Sequence, residues 1–489
     1  MSKFSLILLG ALLGIAVLPY IVIRQKKLPP GTNMMSEAYS FSSLDLLIDR
    51  TRLNPKTGRI EQEQVIFDRI LSEIASAESY IIADFFLWNP WLGALDSETS
   101  VRPLAEELAG ALINKRIQNP DIPILVITDP INKLYGQHAP EYFAAMESAG
   151  IGLVFTDLMK LPDSNRIYAP QARFWKLFIP EWTKPLIENP FDALGELISP
   201  AEFARLLYFK ANHRKVLVTG RSDGRANLVV GSLNPADGSA NHSNMAISVT
   251  GPIAQVAAAS ELELAHWSTV EDDTVMRQLI ASIRLQLRRT GHLRDESRPS
   301  VAWRTEGAIR DEILAQLTPA GPGYRIDAAV FYFSDRLVVK AFKSAIRRGA
   351  SVRVLMDANK DAFGREKAGI PNRQVAFELM KLSDTHSVEV RWAATHGEQF
   401  HTKALRVRGP EQDTLLLGSA NWTRRNLANL NLEANVLLNG AGQTGDAFDA
   451  YFDSLWNGPE SLDYAQYADE RVFNYWLYRF QEWSGASTF

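Results

Sequence analysis

Cysteine is absent from all 489 residues, so disulfides and thiolate metal sites are excluded. That absence suits either side of a bacterial membrane. An excess of basic charge is also missing: 52 Lys and Arg stand against 56 Asp and Glu, a net charge of -4. Such a balance gives no general pull towards nucleic acid, whose binders carry a clear basic surplus. With 46% hydrophobic and 22% charged residues, the chain has the make-up of a globular protein with a sizeable core. Its length allows two to four ordinary domains or one large fused unit.

Charge is wholly lacking from Phe4 to Ile23, and the basic cluster RQKK follows at once. Twenty apolar residues are long enough to cross the ~30 Å hydrocarbon layer as a helix. A cleaved signal peptide has a shorter apolar stretch and ends in small residues. This run ends in Tyr20-Ile-Val-Ile23, so a retained transmembrane anchor over 4–23 is expected. Lys3 on one flank and Arg24, Lys26 and Lys27 on the other leave its orientation open.

Beyond the anchor, helical and strand patterns alternate. Ile66, Ile70 and Ile74 recur at helical spacing, and YIIADFFLW (80–88) is an apolar run of the kind found in buried strands. A helix is expected near 103–116 and a strand at 122–128. The second half repeats the order, with helices at 309–317 and 337–348 and strands at 324–333 and 351–357. Alternation of this kind predicts an α/β fold with mixed, mostly parallel sheets flanked by helices.

The repetition sharpens at particular residues. His213-Arg-Lys215 recurs as His401-Thr-Lys403, a shift of 188, and Gly231-Ser232-Leu-Asn234 recurs as Gly418-Ser419-Ala-Asn421, a shift of 187. Asn244 recurs as Asn431 at the same 187. Polar anchors kept in register over such a distance indicate an internal duplication into two lobes related by a pseudo-twofold axis. We therefore expect a first lobe over 40–270, a second over 301–489, and between them a solvated, arginine-rich helix and linker at 271–300.

In a strand, residues i and i+2 share a face about 6–7 Å apart, so each His and Lys project together. Packed about a twofold, the lobes would place two lysines, two asparagines, two hydroxyls and two imidazoles in one pocket. Such a set suits a phosphate: ammonium groups supply charge, while amides and hydroxyls donate to non-bridging oxygens. One imidazole attacks phosphorus and the other protonates the leaving alkoxide. The scheme requires no metal or cofactor, and H-x-K lacks the extra carboxylate or imidazole of a metal site. Histidines 138, 242, 266, 292, 386 and 396 have no duplicated counterpart and read as surface or core residues.

The paired H-x-K and G-S-x-N motifs, with ADFFLWN, TDPINKLYG and TDLMKLPDSN, resemble the phospholipase D superfamily, in particular its bacterial membrane proteins related to cardiolipin synthases. The resemblance implies a phosphohistidine double displacement on a phosphodiester, with catalytic roles for His213, Lys215, Asn234, His401, Lys403 and Asn421. Ser232, Ser419, Asn244 and Asn431 are expected to support the substrate. By family habit His213 is the nucleophile and His401 the general acid. Two departures stand out. The aspartate five residues after each lysine is replaced by Gly220 and Arg408, and the histidine-orienting acid is present as Glu433 but falls on Ala246 in the first half.

The anchor and the aromatic stretch Phe174–Phe191 favour a glycerophospholipid substrate in a bacterial inner membrane, with water or an alcohol as acceptor. That stretch can line an acyl entrance, lie at the bilayer interface or cover the core. The C-terminal VFNYWLYRFQEW reads as a packed helix. A membrane-tethered phosphodiesterase or nuclease, and a non-catalytic lipid-binding protein of the same fold, are the alternatives. Both half-sites lie in one chain, so a monomer suffices.

Overall fold

The computed structural model describes residues 26–489 other than 94–100, 137, 179–180, 192–196, 289–298, 363–364 and 488. The apolar run 4–23 lies outside these residues. Among those described, no helix is long and apolar enough to cross a membrane.

Two sheets form the frame. The first has seven strands, in the order Ser43–Asp49, Asn244–Thr250, Ala226–Gly231, Lys215–Gly220, Ile81–Phe85, Ile124–Thr128, Gly152–Phe155. The second has nine: Met35–Tyr39, Ser300–Thr305, Ala434–Asn439, Asp413–Gly418, Lys403–Arg408, Arg325–Val330, Ser351–Met356, Val388–Ala393 and Ser461–Asp463. The middle seven of the second sheet follow the first strand for strand, with the same directions.

The sheets are mixed, as expected, but mostly antiparallel rather than mostly parallel. Only Ile81–Phe85, Ile124–Thr128 and Gly152–Phe155 run parallel in the first sheet, and only their three counterparts in the second. The reason lies in the connections. The parallel strands are joined by helices such as Leu104–Gln118 and Arg336–Arg347, whereas Lys215–Gly220 turns directly into Ala226–Gly231. Residues 221–225 (RSDGR) and 409–412 (GPEQ) are too short for a crossover and force antiparallel pairing.

Periodicity accounts for the helices. Val65–Ser76 buries Ile66, Phe67, Ile70 and Ile74 on one stripe. Arg336–Arg347 buries Val338, Val339, Phe342, Ala345 and Ile346, and the Asp335 side chain caps it by accepting from the Leu337 and Val338 amides. Such helices cover the outer face of each sheet. Between the sheets lies one core drawn from both lobes, including Val216, Val230 and Ile247 of the first and Trp303, Leu417 and Val436 of the second.

Two segments tie the lobes further. Met35–Tyr39 pairs with Ser300–Thr305 in the second sheet, while Ser43–Asp49, only a few residues later, pairs with Asn244–Thr250 in the first. The helix Thr274–Arg288, expected as a solvated connection, buries Met276, Ile280 and Ile283 in the shared core. Its apolar residues lie on one stripe between polar ones, which is why composition alone read as a linker.

Candidate active site

His213 and His401 each sit two residues before a central strand, and Lys215 and Lys403 open those strands. Their backbones are fixed by the opposite lobe. The His213 amide donates to the Leu432 carbonyl at 2.9 Å, and the His401 amide donates to the Ser243 carbonyl at 2.9 Å. Each lysine ammonium folds back on the carbonyl of its own histidine, at 2.7 Å for Lys215 and 2.6 Å for Lys403. Each also lies 5.0 Å from an aromatic ring, Phe86 and Phe331 respectively. The same two rings pack on the imidazoles, with centroids 4.7 Å apart for Phe86–His213 and 4.9 Å for Phe331–His401.

The imidazoles meet different partners across the lobe boundary. His213 Nδ1 lies 2.8 Å from Glu433 Oε1, and His401 Nδ1 lies 3.1 Å from Asn244 Oδ1. Ser419 and Asn426 both donate to the Glu433 carboxylate. Asn244 receives the Ser232 hydroxyl at 2.9 Å on its oxygen and donates from its nitrogen to the His242 carbonyl at 3.0 Å. With the amide oriented in this way, its oxygen accepts from His401 Nδ1–H. Nε2 is then the free ring nitrogen of both histidines.

This geometry corrects the alignment of the halves. Ser232 accepts from the Met245 amide and Ser419 from the Ala434 amide, so the structural shift here is 189, not 187. Glu433 therefore corresponds to Asn244 rather than Ala246, and Asn431 to His242 rather than Asn244. The loop after G-S-x-N is two residues shorter in the first half, which a constant shift cannot register. Close packing fixes the motif itself: a Cβ at Gly231 would lie 2.4 Å from that of Ala246, and one at Gly418 2.3 Å from the Ala434 carbonyl oxygen.

Burial governs the charges. It pushes His213 down to about 4, opposed by Glu433, and His401 well below its ordinary value, with Lys403 and His242 adding to the effect. Lys215 is pushed down to about 7 by the same loss of water, and Lys403 well below its ordinary value by burial first and then by the charge of Lys215. An empty pocket thus disfavours further positive charge, and an anion entering it would relieve that stress.

Residues 313–456 match the family model described as "Cardiolipin synthase, PLD-like domain". That segment is similar to a phospholipase D-like domain. Over the whole chain the fold is that of the phosphatidylserine synthase from Haemophilus influenzae, with a TM-score of 0.55 at 10% identity, covering 93% of this chain and 96% of that one. A phospholipase D family member, Nuc from Salmonella typhimurium, aligns over 33% of this chain and 97% of its own at 19% identity, with a TM-score of 0.26. No curated protein matches the sequence.

Across the two lobes, His213, His401, Asn234, Asn421 and Asn431 line one cavity of about 520 Å³. Ser232, Ser419 and Asn244 do not reach it as substrate ligands. Their polar groups are committed to Asn244, Glu433, His401 and neighbouring amides, so their part is to hold the histidine partners. Asn431 faces the cavity but also accepts the Ala211 amide at 3.0 Å, steadying the approach to His213. Gly220 and Arg408 end their strands at the far side from the histidines. A Cβ at Gly220 would fall 2.2 Å from Ser79 Oγ and 2.4 Å from the Tyr80 ring, leaving no room for the aspartate that the sequence comparison expected there. Arg408 is paired instead with Asp449 at 2.7 Å.

Sequence reasoning missed several residues. His242 is not a bystander: it lines the cavity, its ring centroid 5.7 Å from that of His401. Asp129 Oδ2 accepts the Asn212 amide at 2.7 Å, and Asp357 Oδ2 accepts the Phe400 amide at 2.8 Å, so each holds the residue before a histidine. Both carboxyls are raised by burial, to about 7 and about 6. Their signal was present as an aspartate closing an apolar strand in both halves (VITDP and VLMDAN). Arg425 and Lys367 also face the cavity, and nothing local marks either of them. Among the described residues, no group of three or more His, Asp or Glu is placed to hold a metal ion.

Proposed function

We propose that this chain cleaves or transfers the phosphodiester of a glycerophospholipid through a phosphohistidine, at a site assembled by two duplicated lobes and held at a membrane by residues 4–23. One observation carries the reading: two His–Asn sets, 188 residues apart for the histidines, line a single cavity, each histidine partnered by the opposite lobe and each with a buried lysine folded on its carbonyl.

His213 Nε2 attacks phosphorus and the bond to the leaving oxygen breaks, while His401, which takes up a proton from solvent on Nε2 when the phosphodiester anion enters, gives that proton to the leaving oxygen. Water or an alcohol then loses a proton to His401 and attacks phosphorus, and the P–N bond breaks to restore His213. Glu433 favours His213 as the nucleophile, because a buried carboxylate best offsets the positive ring of a phosphohistidine. The neutral amide of Asn244 suits a histidine that must give its proton away. Lys215 and Lys403 offset the phosphate charge, and the Asn234 and Asn421 amides face its oxygens.

A lipid is favoured by the walls. Phe86, Trp91, Phe191, Phe203 and Leu207 make much of the cavity apolar, unlike the basic track a polynucleotide needs. The test uses radiolabelled phosphatidylglycerol in mixed micelles with chelator present. Wild type is expected to release or exchange headgroup and His213→Ala to lose this and any acid-labile label. With an activated 4-nitrophenyl phosphodiester, His401→Ala should still label. Labelling of the His213→Ala protein, or activity abolished by chelator, would overturn the mechanism.

A further inference from the structure

The apolar residues of helix Val472–Ser484 are not all packed. Phe473, Trp476, Phe480 and Trp483 recur at helical spacing and share its outer face, with Phe473 75% and Trp476 64% exposed. The opposite side carries Tyr478 and Glu482 into the second lobe, so the helix is anchored while its aromatic stripe is exposed among the described residues. A second exposed patch, with Phe178 and Trp182 at 67% and 65%, follows helix Tyr168–Trp175.

These patches adjoin. The Arg166 amide donates to the Ser484 carbonyl at 2.7 Å, and the Arg424 guanidinium reaches both the Glu482 and Ser164 carbonyls, so the end of the C-terminal helix abuts the start of the 168–175 helix. They also adjoin the cavity. The Ala201 amide donates to the Trp182 carbonyl at 3.1 Å and Tyr168 donates to the Ala204 carbonyl at 2.8 Å, which fixes both to the helix Pro200–Leu206. Phe203 and Leu206 of that helix form part of the cavity wall.

The position of the chain's exit says what covers this face. Lys26 donates to the Met159 carbonyl and lies near the Arg173 charge, beside the 168–175 helix. Only two residues separate it from Ile23, the end of the uncharged run, a reach of about 10 Å. Tryptophan and phenylalanine with flanking lysines are the side chains that settle at the headgroup–acyl boundary.

We propose that this aromatic face lies in the interface of the bilayer that holds residues 4–23, turning the cavity wall towards lipid. The inference rests on the reading of 4–23 as an anchor and adds a specific orientation to it. The site would then draw its substrate sideways from the membrane it is tethered to, rather than from dispersed lipid.

The chain has 11 tryptophans, none before residue 26, and among those described only Trp182, Trp476 and Trp483 are exposed, so quenching from the acyl chains reads the face. In nanodiscs of phosphatidylcholine and phosphatidylglycerol, lipid brominated on the acyl chain should quench the full-length protein. The W182F/W476F/W483F variant should lose most of that quenching. A wild type left unquenched, including one whose face is taken by a second copy, overturns the proposal. In a second measurement, Phe473→Glu with Trp476→Glu should lower turnover of bilayer lipid about tenfold. Turnover of a short-chain phospholipid dispersed as monomers should be unchanged; equal loss on both substrates also overturns the docking face. Failure of wild type to turn over either lipid would count against the catalytic reading while the quenching result stood by itself.

Discussion

A carboxylate beside His213 and an amide beside His401 make the two imidazoles chemically unequal, although the Phe86 and Phe331 rings against them match. A negative charge within hydrogen-bonding distance favours the protonated or phosphorylated ring, whereas an amide oxygen fixes the tautomer without supplying charge. Glu433→Gln should therefore slow phosphoenzyme formation by on the order of 100-fold, the scale of a misplaced acid–base group. Single-turnover labelling checks this. Asn244→Asp places a carboxylate where the amide was and raises His401, so the alkaline limb of kcat should move up by about one pH unit. An unmoved limb would remove His401 from the role of acid. The lysines give a further sign. Lys215, pushed down to about 7, is mostly neutral at pH 8, and a bound anion pulls it back up. Phosphate binding at pH 8 should thus take up protons, read as a dependence of calorimetric heat on buffer ionisation enthalpy, and Lys215→Met should reduce the uptake. At this scale the histidines, lysines and asparagines were legible because a motif repeated in order is hard to produce by packing. The partners were not. A two-residue difference in loop length moved Glu433 off Asn244 in any constant-shift comparison, and Asp129 and Asp357 act through backbone amides that no short motif records.

Between the two motif ends of the first lobe lies an element-scale feature that the sequence shows only as a charged residue inside an apolar stretch. Arg214, fully buried between His213 and Lys215, donates to Glu261 on helix Pro252–Ser268 at 3.0 Å and to Glu306 in the second lobe at 2.6 Å. Glu306 in turn accepts the Glu433 amide at 3.1 Å. The residue thus locks a strand, a helix and the opposite lobe together beneath the catalytic pair. In the second lobe Thr402 takes its place, so the lock is one-sided. Removing one member of such a cluster leaves buried carboxylates uncompensated. Arg214→Ala should lose about 3–5 kcal/mol of stability, read from denaturant unfolding. A loss within that of an exposed substitution would mean the carboxylates find other partners. Helices and strands were mostly readable from periodicity because each buries one stripe or one apolar run. Strand direction was not: alternating elements suggested parallel crossovers, and only the brevity of RSDGR and GPEQ held the contrary information.

At the scale of the molecule, the lobes are not independent bodies that happen to touch. They share a core between their sheets, the chain enters through a strand of the second sheet before forming the first, and the helix Thr274–Arg288 closes the gap. The backbone segment before each histidine pairs with a segment of the other lobe, at Asn212 with Leu432 and at Ser243 with Phe400. The likeness of the two halves was visible as repeated residues, but a repeat states only that two units are alike. Whether each folds alone depends on which apolar faces meet, and the sequence marks a buried face without naming what covers it. Here the inner face of each sheet is covered by the other lobe. Separating them would expose Val216, Val230 and Ile247 on one side and Trp303, Leu417 and Val436 on the other, at about 25 cal/mol per Å² of apolar surface. Calorimetry of the whole protein should accordingly show one cooperative transition with calorimetric and van't Hoff enthalpies equal, not two. Phosphate should raise its midpoint as a single unit, since binding needs both lobes in place. Two resolved transitions, or a phosphate effect confined to one of them, would show that the lobes fold separately and that the shared core contributes little.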